Sequence, residues 1–362
     1  TILINAFRVV QSAILSKELN FKALLMASLP ASMVSGVVAV LLAYGGMGVW
    51  ALIVQMVLYA LLATMFTWNI GSWRPTLAVS RHSFHQMFSF GSRLFAASTL
   101  DTVFRNLYVI VIAKIFDTTI VGYYFFADKI RELIINQLVS SIRNVTYPAL
   151  STVQNDNVKL KDGFRKVLRV TTFSLFPAMV FLAALAEPLF KVFLPGNWEP
   201  AVPYLQLLCL AGILIPVHSV NLNILQVKGR AALFLRLEII KKAMLVVVLS
   251  ISLKFGIFGI LIGQIVTSII AYIPNSYFTN RLINYSAREQ LADFLPALFL
   301  SGAIGGLVYF FVVMLGWSAY AELLLFGVLA PVLYLAVAYI FKMEALTLAV
   351  RLSGYEGSRN ID

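Results

Sequence analysis

Charge is what this chain has least of. Only 12% of its 362 residues are Asp, Glu, Lys or Arg, about half the share of a soluble domain. From Ala23 to Trp73 there is none at all. A soluble surface cannot be covered from so small a polar supply, so a soluble fold is excluded. Cysteine is limited to Cys209, which rules out an intrachain disulfide and a cysteine metal cluster. Three histidines, His82, His85 and His218, are too few for most histidine-rich metal sites. Neither an H-E-x-x-H motif nor a Walker phosphate loop occurs, and the chain has no nucleotide-binding domain. Zinc hydrolysis and ATP-driven pumping are therefore not chemistries of this sequence. No cofactor is expected.

What is present is apolar: 60% of the residues are hydrophobic. A hydrocarbon core about 30 Å thick is crossed by about 20 apolar residues in a helix. The backbone of each span must bond within its own segment. Ten spans fit: 23–43, 47–68, 93–116, 120–148, 170–186, 200–227, 233–254, 255–280, 294–321 and 322–341. The fold class is an all-α polytopic membrane protein. One alternate set of connections holds 19 of the 28 lysines and arginines, from Arg8, Lys17 and Lys22 to Lys342, Arg351 and Arg359. The other set holds only Lys114, Lys191 and Lys254. The positive-inside rule makes the first set cytoplasmic, with both ends of the sequence inside. The net charge of +12 thus reads as topology. Membrane lipids are expected partners and nucleic acid is not.

The sequence starts at Thr1 without a signal-peptide pattern and is expected to be the later part of a longer protein. Gly45-Gly46-Met47-Gly48 and Gly256-Ile257-Phe258-Gly259 put G-x-x-G at two outer turns six spans apart, consistent with two repeated halves. The expected division is 1–80 for the end of the first half, 81–285 for a six-helix second half, and 286–362 for two added spans and a loose tail after Phe341. Residues 81–92 read as a separate short interfacial helix with Phe84, Met87 and Phe88 on one face, leaving His82 and His85 structural. The longest outer loop is expected at about 187–200.

Two consecutive spans break the apolar rule. Ser98, Asp101, Arg105 and Tyr108 follow helical spacing in the first. Lys129, Glu132, Asn136, Ser140, Arg143 and Tyr147 do so in the second. Each set forms one stripe, the second roughly 27 Å long at 1.5 Å per residue. An Asp, Lys or Arg at a helix centre costs about 2.5–3.5 kcal/mol, so the stripes should face protein or water. A water-filled pathway and local pairing (Asp101 with Arg105, Lys129 with Glu132) are both compatible with the spacing. Arg131, on the other face, reads as structural or snorkelling; Asp128 and Lys114 read as interface charges. Glu238, Lys241 and Lys242 form a second charged group with a local pair, and His218 reads as a packing histidine.

The order of several short segments carries a resemblance. These are Leu15-Ser16-Lys17-Glu18-Leu19-Asn20-Phe21, Gly45-Gly46-Met47-Gly48-Val49-Trp50-Ala51-Leu52, Val121-Gly122-Tyr123-Tyr124 with Ala127, Tyr147-Pro148-Ala149-Leu150-Ser151, and Gly196-Asn197-Trp198 with Ala201 and Pro203. Together they resemble the Wzx-type polysaccharide flippases of the MOP exporter superfamily. The resemblance implies a fourteen-helix, two-halved fold of which helices five to fourteen are present. It implies a central cavity to which 93–116 and 120–148 contribute. Its substrate would be an undecaprenyl-diphosphate-linked oligosaccharide, moved across the bacterial inner membrane without enzymatic chemistry. A polysaccharide polymerase and a chain-length regulator are implied partners. Under this reading Arg105, Lys129, Arg143, Asn136 and Tyr108 would contact substrate, and Asp101 and Glu132 would couple to an ion gradient. A drug or cation antiporter of the same superfamily would favour an acidic cavity, whereas these stripes carry more cations than acids. A membrane glycosyltransferase or polymerase would need a sizeable catalytic outer loop.

Overall fold

In a computed structural model of the chain, helix starts are written in its caps. The structure describes residues 1–71, 73–74 and 80–353, and within them the side chains of all but 105, 141, 143, 145 and 349–353. Its helices are α1 (Ile2–Lys17), α2 (Phe21–Tyr44), α3 (Val49–Ile70), α4 (Arg81–Ile115), α5 (Thr118–Thr152), α6 (Asn157–Ala184), α7 (Ala186–Phe193), α8 (Val202–Gly212), α9 (Ile215–Val227), α10 (Ala231–Ser252), α11 (Gly256–Ile283), α12 (Ala287–Leu315), α13 (Ala319–Ile340) and α14 (Glu344–Ser353). Asn20 opens α2 by accepting from Ala23 N at 3.1 Å. Asp156 opens α6 by accepting from Val158 N and Lys159 N. Ser286 and Glu289 close a reciprocal capping box on α12. Each cap satisfies amides that the first turn leaves without a helical partner.

Among the described residues, eight stretches are long and apolar enough to cross a membrane; one of them, Ala231–Ile283, contains both α10 and α11. Helix α5 is 35 residues long but carries Asp128, Lys129, Arg131, Glu132 and Arg143. With α5 and the α10–α11 division, the ten expected spans have their helices. The surface is inverted relative to a soluble protein. Phe299, Leu324 and Val328 are 65–73% exposed, while Asn221, Asn275, Gln290 and Ser301 are buried. Lipid solvates the outer apolar side chains, and the polar ones turn inward to bond one another.

The chain divides into two compact units. The first comprises Thr1–His82 with Asn144–Thr152. Here Ala23, Ala27, Ala31, Ser35 and Ala39 are buried at every fourth position of α2. Ala51, Ala60, Ala63 and Thr67 are buried on α3. These small residues let the two backbones approach closely. Helix α1 is held to α3 by Trp68 Nε1–H donating to Phe7 O at 2.9 Å. Gln11 Nε2–H donates to Trp73 O at 3.0 Å.

The second unit comprises Ser83–Arg143 and Val153–Asp362. Its main core joins α4 to α8, α10 and α11 through Ile112, Tyr124, Ala127, Leu175, Met179, Leu205, Leu208 and Ile260. A second cluster packs α6 against α12 and α13 through Phe173, Phe181, Ile304, Val308, Phe326 and Tyr334.

Several expectations change. Residues 81–92 are not a separate interfacial helix but the first third of one unbroken α4; no proline interrupts them. The span expected at 200–227 is broken into α8 and α9 at Ile213 and Leu214, where Pro216 at the start of α9 cannot extend a helix arriving from α8. The outer loop at 187–200 is largely helical, as α7 and a 3-10 turn over Gly196–Ala201. The tail after Phe341 is not loose through Ser353: it forms α14, which packs on α6 and α13. The two G-x-x-G turns differ in register. Gly48 takes φ 52° at the start of α3, whereas at the second turn it is the first glycine, Gly256, that takes φ 69°. Gly259 is helical, and a β-carbon there would lie 2.5 Å from Ser252 O.

Candidate functional site

Helix α5 presents two chemically different faces. Tyr124, Ala127 and Ile135 are buried in the core, and Asp128 and Arg131 lie on the same side. Lys129, Asn136 and Ser140 are exposed on the other, with Glu132 at its border. Lys129 Nζ–H donates to Glu132 Oε2 at 3.0 Å, with side-chain exposures of 55% and 20%, and stands 5.6 Å over the Phe125 ring. The expected local pair is therefore formed, and the cation remains open. Leu133, 72% exposed, borders the row, so the face is amphipathic rather than wholly polar. Arg105 and Arg143 continue the two stripes by sequence position, but their side chains lie outside the described residues.

Arg131 pairs with Asp128 at 2.5 Å, with exposures of only 13% and 16%. Its stem lies against Gly212: a β-carbon there would come within 3.3 Å of Arg131 Cδ. Asp128 was expected at the outer interface and is instead on the packed face. Helix α5 starts at Thr118, which puts Asp128 about 15 Å along it. Nearby, Gln264 Nε2–H on α11 donates to Tyr124 Oη at 3.1 Å.

Helix α4 turns Ala97 and Ile112 into buried positions. Asp101, Phe104 and Tyr108 share that side. Tyr108 packs against the main core with its hydroxyl toward Thr267 of α11, so its place is in the packing between α4 and α11. Asp101 meets a partner that local spacing did not indicate. Lys242 Nζ–H, on α10, donates to Asp101 Oδ1 at 2.6 Å. Lys242 also lies 3.7 Å from Glu238 Oε2, and Lys241 is 2.5 Å from Glu238 Oε1.

Other polar side chains inside the unit bond one another. His218 Nε2–H donates to Ser268 O at 3.1 Å, and its Nδ1 accepts from Asn275 Nδ2–H at 2.8 Å. This neutral tautomer suits a packing histidine. Thr279 Oγ1–H donates to Asn221 Oδ1 at 2.6 Å, and Asn221 Nδ2–H to Gln290 Oε1 at 3.0 Å. At the basic side, Asp293 is only 3% exposed and accepts from Arg165, Arg169 and Tyr285. Arg169 also pairs with Glu344 of α14. An open cleft of about 600 Å³ beside them is lined by Asp162, Arg165, Lys166, Arg169, Lys342 and Glu344. Its two arginines are already engaged, which makes it a fold clamp. The sequence reading missed this clamp.

Residues 1–203, more than half of the chain, match the family described as polysaccharide biosynthesis protein. The chain is 28% identical over 243 residues to the lipopolysaccharide biosynthesis protein WzxC of Escherichia coli (strain K12), covering 64% of this chain and 49% of that protein. It is 28% identical over 216 residues to the succinoglycan biosynthesis transport protein ExoT of Rhizobium meliloti (strain 1021), covering 57% and 42%. It thus spans about half the length, or less, of these relatives. Among solved structures, the lipid II flippase MurJ in its inward closed conformation shares the fold, with a TM-score of 0.57 and 15% identity over 86% of this chain and 67% of that one. Eight apolar stretches long enough to cross a membrane among the described residues, a fold shared with MurJ and a family match over residues 1–203 lead to one assignment: this multi-pass α-helical membrane protein belongs to the polysaccharide biosynthesis protein family.

Proposed function

We propose that the full-length protein is a flippase that moves an undecaprenyl-diphosphate-linked oligosaccharide from the cytoplasmic to the periplasmic leaflet of the inner membrane. The observation that carries this reading is the exposed row of α5: Lys129, Asn136 and Ser140, with Glu132 beside them. An open ammonium in the middle of a membrane helix is costly unless water or an anion meets it. Glu132 meets one side of the Lys129 ammonium; a diphosphate can meet its open side, and amide and hydroxyl groups suit sugars. The printed names of WzxC, ExoT and MurJ support the same substrate class.

In this mechanism Lys129, Arg105 and Arg143 bind the diphosphate, and Asn136 and Ser140 bind sugar hydroxyls. Tyr108 holds α4 in place from behind. A charge pair at 4 Å is worth about 4 kcal/mol at an effective dielectric of 20, so two or three contacts offset much of the headgroup's dehydration. The lipid tail stays in the bilayer. Asp101 and Glu132 are the groups whose charge would respond to a driving ion. Rocking of two halves exposes the row to each side in turn. The basic side and the C-terminus face the cytoplasm. A polysaccharide polymerase and its chain-length regulator receive the product.

The test is polysaccharide export by cells whose own exporter is deleted. The full-length protein restores export; the Arg105→Ala, Lys129→Ala, Arg143→Ala triple variant, at equal membrane level, does not. Export by the triple variant at the normal rate would remove the basis of this reading. Extrusion of cationic dyes without export would favour the antiporter.

A further inference from the structure

Three helices change character at one level. Helix α6 carries charges as far as Arg169 and none from Val170 to Ala186. Helix α12 carries none from Phe294 onward, and α13 none from Leu323 until Lys342 follows its end. Arg169 ties these three boundaries together. It donates to Asp293, next to Phe294, at 2.6 Å and to Glu344, two residues beyond Lys342. The change from apolar to charged chain therefore falls at one place in space, and the cleft of about 600 Å³ opens there. In a bilayer, that is the depth of the lipid phosphates.

The clamp engages Arg165 and Arg169, but the cleft is also lined by two lysines. Lys166 is 53% exposed and pairs with Asp162, itself 62% exposed, at 2.6 Å; exposed pairs of this kind are weak. Lys342 is exposed at the turn between α13 and α14, and among the described residues no carboxylate lies within 4 Å of its ammonium. The lining holds four cations and two acids, Asp162 and Glu344. Asp293 behind it makes three acids, so one positive charge is left over. Immediately before Lys342, the side chains of Tyr339, Ile340 and Phe341 are 72–76% exposed. A basic recess beside an apolar strip, at the boundary of the hydrocarbon, suits a lipid with an anionic headgroup.

We propose that this cleft binds one anionic phospholipid from the leaflet on the basic side. Lys166 and Lys342 meet its phosphodiester, and its acyl chains lie along the end of α13. A free phosphate ion would offer the charge but gains nothing from the exposed strip. The bound lipid bridges α6 to the α13–α14 turn, strengthening from the membrane the junction that Asp293 holds within the protein. The site is separate from the α5 row and does not depend on what the protein transports.

The experiment uses purified full-length protein in detergent with added phosphatidylglycerol, phosphatidylcholine or soluble glycerol phosphate. Native mass spectrometry counts bound lipid, and thermal unfolding reads its effect. Wild-type protein binds phosphatidylglycerol more tightly than phosphatidylcholine, and only phosphatidylglycerol raises the melting temperature. The Lys166→Gln, Lys342→Gln variant binds phosphatidylglycerol about tenfold or more weakly and loses that rise, while melting like wild type without lipid. Arginine at both positions retains binding. Asp162→Asn removes a competitor for Lys166 and tightens phosphatidylglycerol binding a few-fold. Wild-type affinity in the double glutamine variant overturns the proposal. So does equal binding of the two lipids, and so does glycerol phosphate that stabilises as much as the lipid, which would make this a free-anion site. If the glutamine variant melts early even without lipid, Asp162→Asn decides: affinity that is unchanged or weaker there also overturns it.

Discussion

Asp293 of α12 is an acceptor on which α6 and the α11–α12 turn converge, and its removal has a calculable cost. Arg165 reaches it at 2.8 and 2.9 Å, Arg169 at 2.6 and 2.9 Å, and Tyr285 at 2.5 Å. Removing one partner of a buried ion pair costs about 3–5 kcal/mol. The guanidiniums are 36% and 23% exposed, so water recovers part of the loss, and we place Asp293→Ala near 3 kcal/mol, at the low end of that range. Asp162→Ala is the control. Its pair with Lys166 is 62% and 53% exposed, and such pairs contribute about 0–1 kcal/mol. At about 2–4 °C per kcal/mol, Asp293→Ala should melt about 6–12 °C lower. Asp293→Asn, which keeps the acceptor shape, should fall between. Thermal unfolding in detergent, followed with a thiol-reactive dye, reads the opening of the core because Cys209 is 1% exposed. Asp293→Ala melting within about 2 °C of Asp162→Ala would refute the clamp.

Three further outcomes follow from the packing. Gly256→Ala places a β-carbon on a residue with φ 69°, costing about 1–2 kcal/mol, whereas Gly302→Ala, a helical position with open space around it, should be neutral or mildly stabilising in the same melt. Ala31→Leu puts a large side chain into the fully buried α2 stripe and should cost about 1–3 kcal/mol; unchanged stability would mean that α2 and α3 are not closely packed. Burial, reinforced by the Asp293 carboxylate, holds the Tyr285 phenol above its ordinary value of 10.0. Its raised folded pKa means that its contribution is complete below the unfolded value and is lost as pH rises past it. The stability gap between wild type and Tyr285→Phe should therefore narrow from about pH 9 to about pH 11, and a constant gap would count against the bond.

The spans were readable because a long charge-free run leaves a helix no other place to be. What the runs could not show was interruption. Helix α8 ends at Gly212 and α9 carries Pro216 near its start, a signal present in the sequence but lost inside an apolar stretch. Helix α1 escaped notice because only Gln11 and Leu15 of its residues are buried, too few for a clear period. For the charged helices, Lys129 with Glu132 was legible as neighbours on one helix, and so in principle was Asp128 with Arg131. The Asp101–Lys242 contact was not, since 141 residues separate its ends and Arg105 offered a nearer partner. The Asp293 clamp was hidden by the very rule that oriented the protein: its arginines served as markers of a side before they could be considered as ligands of an acid.

The amides of α9 have a consequence for how the protein is made. His218 finds Ser268 only 50 residues later, Asn221 meets Thr279 after 58, and Gln290 after 69. At about 5–20 residues per second of synthesis, Asn221 waits roughly 3–12 seconds for its first side-chain partner. During that interval α9 cannot settle among acyl chains without stranding polar groups. Pairing with α11, through His218 with Ser268 and Asn221 with Thr279, is what relieves that cost, which favours entry of the two helices together over entry of α9 alone.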